Sequence, residues 1–271
     1  MTNRAALTDS SPLSLLAKVP RITALFWVIK VLSTGMGETF SDFLVMHLPP
    51  LLAVGGGLLA FVVSLVAQFR TSRYHVWTYW TAVVMVAIFG TMVADIVDFV
   101  VGIPLGISTV MFLLLLAGVL ALWYRAERTL DVHTINTRRR EGFYWTTVMV
   151  TFALGTIAGD FTAATLHLGF LLSSALFAVA ITVPALAWRW ARLNAVLAFW
   201  AAYVVTRPLG ASLTDWLASD HNDGLNLGTG WITLASAVPM IVLIAVLARR
   251  DAAVPEIIAA GPRTPETALE S

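Results

Sequence analysis

Apolar runs of about 17 to 25 residues recur along almost the whole chain, each long enough to cross the hydrocarbon core of a bilayer as a helix. Backbone groups in lipid have no water to bond, and an α-helix satisfies them within one segment. Only 12% of the 271 residues are charged and 58% are apolar, whereas about 25% charged residues is usual in a soluble domain. The pattern predicts an all-α polytopic membrane protein whose first partner is the lipid bilayer. Eight transmembrane helices are expected near residues 22–46, 49–69, 77–99, 103–124, 143–166, 168–189, 195–217 and 230–248.

Basic residues alternate from loop to loop. Arg70 and Arg73 follow the second run, a cluster from Arg125 to Arg140 the fourth, Arg189 and Arg192 the sixth, and Arg249 and Arg250 the eighth. Lys18 and Arg21 precede the first run. The opposite connections, around His47-Leu48-Pro49, Val101-Gly102-Ile103 and Asp215 to Thr229, carry neither Lys nor Arg. Positive charge stays cytoplasmic, so both termini are expected inside, in a bacterial cytoplasmic (inner) membrane. Trp77, Trp123, Trp188, Trp190, Trp216 and Trp231 lie near the ends of the runs and are expected at the interfaces.

A tetrad of identical spacings organises the chain further. Trp27, Trp80, Trp145 and Trp200 are each followed ten positions later by Gly37, Gly90, Gly155 and Gly210. Five positions beyond each glycine stands Asp42, Asp95, Asp160 or Asp215. The pattern W-x9-G-x4-D therefore occurs four times without a gap, which marks internal repeats. The returning helices carry a weaker signal in Gly55, Ser108, Ser173 and, after a longer loop, Ser236. The repeats are expected at 18–73, 74–132, 133–192 and 193–250, between cytoplasmic tails at 1–17 and 251–271. Two helices per repeat give every repeat the same orientation, about an axis along the membrane normal.

The segments Lys18-Val-Pro-Arg-Ile-Thr, Lys30 to Asp42 and Arg138 to Asp160 resemble a bacterial family of uncharacterised membrane-anchored proteins. That family is described by a tandem two-helix repeat of unknown function with a characteristic tryptophan. The resemblance covers roughly residues 18–250 and implies the repeat architecture, with no activity attached to it.

Function must then be read from ionisable residues within the runs. Lys30, Thr34, Glu38 and Asp42 share one helical face with Trp27, and Lys30 stands about 18 Å along the axis from Asp42. Glu38 is replaced by Thr91, Thr156 and Ala211 in the other repeats, and Lys30 by Val83, Val148 and Tyr203. The fourth repeat carries Arg207 where the first has Thr34. Intramembrane charges cost about 2.5–3.5 kcal/mol each on insertion scales and usually face a bundle interior or a wet cavity. Asp42, Asp95, Asp160 and Asp215 are expected to converge with Glu38, Lys30, Thr34 and Arg207 on a shared ion site.

These residues predict a secondary transporter or channel for a small cation, with proton coupling. The alternative is a membrane scaffold or sensor whose polar core only fixes packing, with Lys30 and Arg207 neutralising Glu38 and an Asp. His47 and His167 are candidate ligands should the acidic residues hold a divalent ion. The absence of Cys excludes disulfides and thiolate ligands, and a net charge of +1 gives no reason to expect a nucleic-acid partner. No nucleophile–base pair, zinc-protease motif or cofactor motif stands out, so neither catalysis nor a cofactor is expected.

Overall fold

The computed structural model describes residues 17–259. The expected tails, 1–17 and 251–271, fall mostly outside the described residues. Among those described, every regular element is helical. Helix α1 spans Ala24–His47 and starts at Thr23, whose hydroxyl accepts the Phe26 N–H. Helix α2 spans Pro50–Arg70; Pro50 opens it because a first-turn residue needs no hydrogen-bonded N–H. Helix α3, Val76–Asp95, continues into a π turn at Ile96–Val100. Helix α4 spans Leu105–Glu127 and is followed by a 3-10 turn at Val132–Thr134. Helix α5, Arg138–Asp160, also runs into a π turn, Phe161–Thr165.

The sixth span comprises α6, Gly169–Ala180, and α7, Thr182–Trp190. They part at Ile181, where Pro184 cannot donate the hydrogen bond that would close the helix onto Ala180. Helix α8 spans Ala195–Ala218, and α9 spans Thr229–Ala259. Seven of the eight spans are long and apolar enough to cross a membrane on composition alone. The remaining one, α1, has the length but carries Lys30, Glu38 and Asp42. Among the described residues eight helical spans in four repeats are therefore present, as the hydropathy pattern predicts.

Two boundaries differ from expectation. Helix α5 begins five residues earlier, at Arg138, because Thr137 caps it by accepting the Arg140 N–H. Helix α9 runs past Asp251 to Ala259, where a tail was expected, since Ala252 and Ala253 favour continued helix.

The packing is a ring within a ring. Helices α1, α3, α5 and α8, the tryptophan-bearing helix of each repeat, pack in sequence, and α8 closes back on α1. The return helices stand outside, where only 11% to 22% of each span is buried, against 44% to 72% for α3, α5 and α8. In α1, every residue from Ser33 to Thr39 is buried. The outer helices present large apolar side chains such as Leu51, Leu114 and Val179 outward, as a lipid-facing surface requires.

Each return helix lies against the next repeat rather than its own. Helix α2 packs on α3, α4 on α5, α6 with α7 on α8, and α9 on α1. The sequence repeat is thus not the packing unit.

The repeat glycines close the inner ring. A Cβ built on Gly90 would stand 2.7 Å from the Cβ of Phe152, and one on Gly210 would stand 2.5 Å from Cγ2 of Thr34. Cβ atoms on Gly37 and Gly155 would overlap Ala87 and Arg207. Thr34, Ala87, Phe152 and Arg207 all stand seven positions after their repeat's tryptophan. Each glycine therefore admits the same residue position of the following helix, around the whole ring. Close backbone approach of this kind is how helices gain dispersion contacts in lipid.

Two other expectations fail on contact. A Cβ built on Gly55 would meet nothing within 4 Å, whereas Ser108 and Ser173 are fully buried, so the weaker signal of the return helices is not one shared contact. Trp123 is buried against Phe143 and Trp200 rather than placed at an interface.

Candidate functional site

The interior is built from positions four residues apart, starting at the aromatic residue before each tryptophan. In α1 they are Phe26, Lys30, Thr34, Glu38 and Asp42; in α3, Tyr79, Val83, Ala87, Thr91 and Asp95. In α5 they are Tyr144, Val148, Phe152, Thr156 and Asp160; in α8, Phe199, Tyr203, Arg207, Ala211 and Asp215. Four residues advance a helix by about 6 Å, so these positions form stacked layers along the ring axis.

Aromatic residues close the arginine-bearing end. The hydroxyls of Tyr79 and Tyr144 share a hydrogen bond of 2.6 Å, and both residues are fully buried. Lys30 comes next, at 1% exposure. Its ammonium donates to Thr34 Oγ1 at 3.2 Å and sits 4.3 Å and 4.5 Å from the ring centroids of Phe152 and Tyr203. Among the described residues it has no carboxylate partner, so it does not pair with Glu38. The expected Lys30–Glu38 contact is corrected here: the aromatic rings have taken that role.

Arg207 holds the centre, at 0% exposure. Its Nη2 lies 2.6 Å from Glu38 Oε2 and donates to Thr91 Oγ1 at 2.5 Å and Thr156 Oγ1 at 2.9 Å. Its Nη1 donates to the Thr34 carbonyl at 3.1 Å and its Nε to the Phe152 carbonyl at 3.3 Å. The two threonine hydroxyls in turn donate to Glu38 Oε2, at 2.9 Å and 3.0 Å. One guanidinium thus touches all three neighbouring inner helices. Charge-assisted bonds of this kind are about twice as strong as neutral ones, and the planar fork suits several fixed acceptors.

The next layer holds the repeat aspartates. Asp42, Asp95, Asp160 and Asp215 are partly buried, each four residues beyond the Glu38 position of its own inner helix. Among the described residues none of the four carboxylates has an ion-pair or hydrogen-bond partner. Asp95 and Asp160 each stand immediately before a π turn, a local widening common beside functional residues. Asp98 lies within the first of these turns.

A second buried ion pair escaped the sequence reading. Lys18, ahead of α1, reaches Glu141 in the first turn of α5 at 2.6 Å. Gln68 donates to the other carboxylate oxygen at 3.1 Å. The segment is pinned by its backbone as well: Lys18 N donates to the Ile135 carbonyl, and Tyr74 N to that of Ala17. Burial pushes the Tyr74 phenol well above its usual range. The available signal was the Glu that follows the three arginines of Arg138 to Arg140, a stretch that forms the first turn of a largely buried helix. Thr91 and Thr156 were likewise read as replacements of Glu38, although their repeat position makes them its partners.

The candidate metal ligands stay apart. His47 Nδ1 meets the Phe43 carbonyl at 2.8 Å and its ring stacks on Phe43, while exposed His167 adopts a left-handed backbone at φ 55°. Among the described residues no group of three or more His, Asp or Glu is arranged to hold a metal ion.

The architecture agrees with a family model that the sequence matches. The Repeat of Unknown Function (DUF347) matches four times, at residues 25–74, 78–129, 143–194 and 198–252. Each match takes in one inner helix and the return helix that follows it. No curated protein and no solved structure matches the chain. With most of its length covered by four tandem copies, the chain belongs to the DUF347 repeat family.

Proposed function

We propose that this membrane protein moves a small cation, with proton coupling, through the centre of its inner ring. One observation carries the reading: four repeat aspartates without a protein counter-charge stand one layer from a Glu38–Arg207 pair buried on the axis. Rings of carboxylates concentrate and select cations. The core as a whole sets five carboxylates against two basic groups, and Glu38 with Arg207 cancel. The acidic layer is therefore the entry, and the pair is the barrier behind it.

Beyond the barrier, Lys30, Phe152, Tyr79, Tyr144 and Tyr203 fill the axis. This conformation is closed toward the arginine-bearing end, and passage requires Arg207 to leave the axis. Exchange of Arg207 for a cation or proton at Glu38 supplies a reason for it to leave, since the carboxylate is never left unpaired. In this reading the chain makes and breaks no covalent bond, the arginine-bearing loops are cytoplasmic, and both termini lie inside a bacterial inner membrane.

The test is cation uptake by the purified chain in liposomes, with and without a pH gradient. Asp42→Asn, Asp160→Asn and Asp215→Asn together remove charge from partly exposed groups without partners. Lost uptake with unchanged thermal stability supports the reading, and uptake at the wild-type rate overturns it. A second reading has its own observation: every nitrogen of Arg207 is bonded, as in a clamp that only holds a scaffold together. It predicts no cation flux from the wild-type protein.

A further inference from the structure

We propose that the arginine-bearing end carries a binding site for an anionic phospholipid, between the end of α2 and the start of α5. A cavity of about 490 Å³ opens there, lined by Val62, Leu65, Val66, Phe69, Arg70 and Arg138. The first five of these follow helical spacing and form one stripe of α2, a trough about 12 Å long at the helical rise. Arg70 is the last residue of α2 and Arg138 the first of α5. An apolar trough ending between two guanidinium groups matches an acyl chain continued by a phosphodiester.

The local charge balance leaves those two arginines free for such a partner. Glu127 is already engaged by both Arg139, at 3.4 Å, and Arg140, at 2.9 Å. Glu141 is engaged by Lys18 at 2.6 Å. Among the described residues neither Arg70 nor Arg138 has an ion-pair partner, and both are exposed. A second cavity of about 490 Å³, lined by Gly106, Ile107, Val110, Met111 and Leu114 of α4, has no charged residue on its wall. Lipid tails can lie in either trough, and only the first has headgroup recognition built into its end. Arg suits the task because its planar fork matches phosphate oxygens in pairs.

The site is independent of the transport reading, and its test needs no flux. The full chain in detergent is titrated with phosphatidylglycerol, phosphatidylcholine or inorganic phosphate. Retained lipid is read by native mass spectrometry and stability by thermal unfolding. Phosphatidylglycerol is expected to be retained and to raise Tm, and phosphatidylcholine and inorganic phosphate are not. R70Q/R138Q is expected to weaken retention about thirtyfold, as each basic side chain near an anionic lipid surface contributes about fivefold. V66W, which fills the trough and keeps both charges, is expected to lose retention as well, and R249Q/R250Q within α9 to keep it. Equal losses from R249Q/R250Q would show general basic charge and overturn the site. So would wild-type retention by R70Q/R138Q, or displacement of lipid by inorganic phosphate.

Discussion

At the residue scale, the molecule turns on how Arg207 is neutralised. Its guanidinium meets Glu38, two threonine hydroxyls and two carbonyls in a site without exposure. Removing one partner of such a pair strands the other, at about 3–5 kcal/mol. Glu38→Gln and Arg207→Met should therefore each lower Tm sharply. Their combination should cost clearly less than the sum, a coupling that thermal unfolding of the double-mutant cycle measures. Lys30→Met should behave oppositely, because Lys30 has aromatic rings and Thr34 around it and no carboxylate. A Met fits that apolar box without desolvating a charge, so a Tm equal to or above the wild type is expected. A fall as large as that of Arg207→Met would show that Lys30 neutralises a carboxylate after all. The sequence displayed every one of these residues, and the spacing of four puts Glu38, Thr91 and Thr156 in register. It did not display which base meets Glu38: Lys30 and Arg207 stand one layer apart in different repeats, and only the relative stagger of α1 and α8 decides between them.

At the element scale, long apolar runs made the helices legible to within a few residues. The misplaced start of α5 shows the limit, because three arginines and a glutamate conceal an early cap at Thr137. Burial of Glu141 was hidden for the same reason: its partner, Lys18, lies 123 residues away in a segment without secondary structure. The repeat glycines were legible as a pattern, but what they admit was not. Gly210 faces Thr34 across the α8–α1 contact, so Gly210→Leu should separate the helices and destabilise the ring by about 1–3 kcal/mol or more. A Cβ built on Gly118, midway along α4, would meet nothing within 4 Å. Gly118→Ala should gain about 1 kcal/mol from helix propensity alone. Paired melting curves of these two variants check both claims, and equal effects would show that the glycines are not contact positions.

At the scale of the whole molecule, the repeats were visible and their interlocking was not, since hydropathy carries no record of which neighbour a helix covers. Helix α4 covers α5 and α9 covers α1, so residues 1–132 and 133–271 each hold a helix that the other requires. Co-expressed as separate chains, the two halves should copurify, and each alone should be recovered poorly. Efficient recovery of either half by itself would contradict the interlocked packing. Cysteines placed in residues 125–142 and in residues 218–228 should be labelled from opposite sides of the membrane, because three spans, an odd number, separate them.

The borrowed outer helix also bears on what a single repeat could do alone. A chain of one repeat would hold its second helix where only another molecule's first helix could receive it. Head-to-tail exchange of that kind closes when the rotations complete a full turn, and here four positions complete it. The present polypeptide is in effect a ring of four subunits written as a single gene. Joining the four positions in one chain lets each differ, so that one quarter holds a carboxylate at the axis and another the arginine that meets it, with neither repeated in the other quarters.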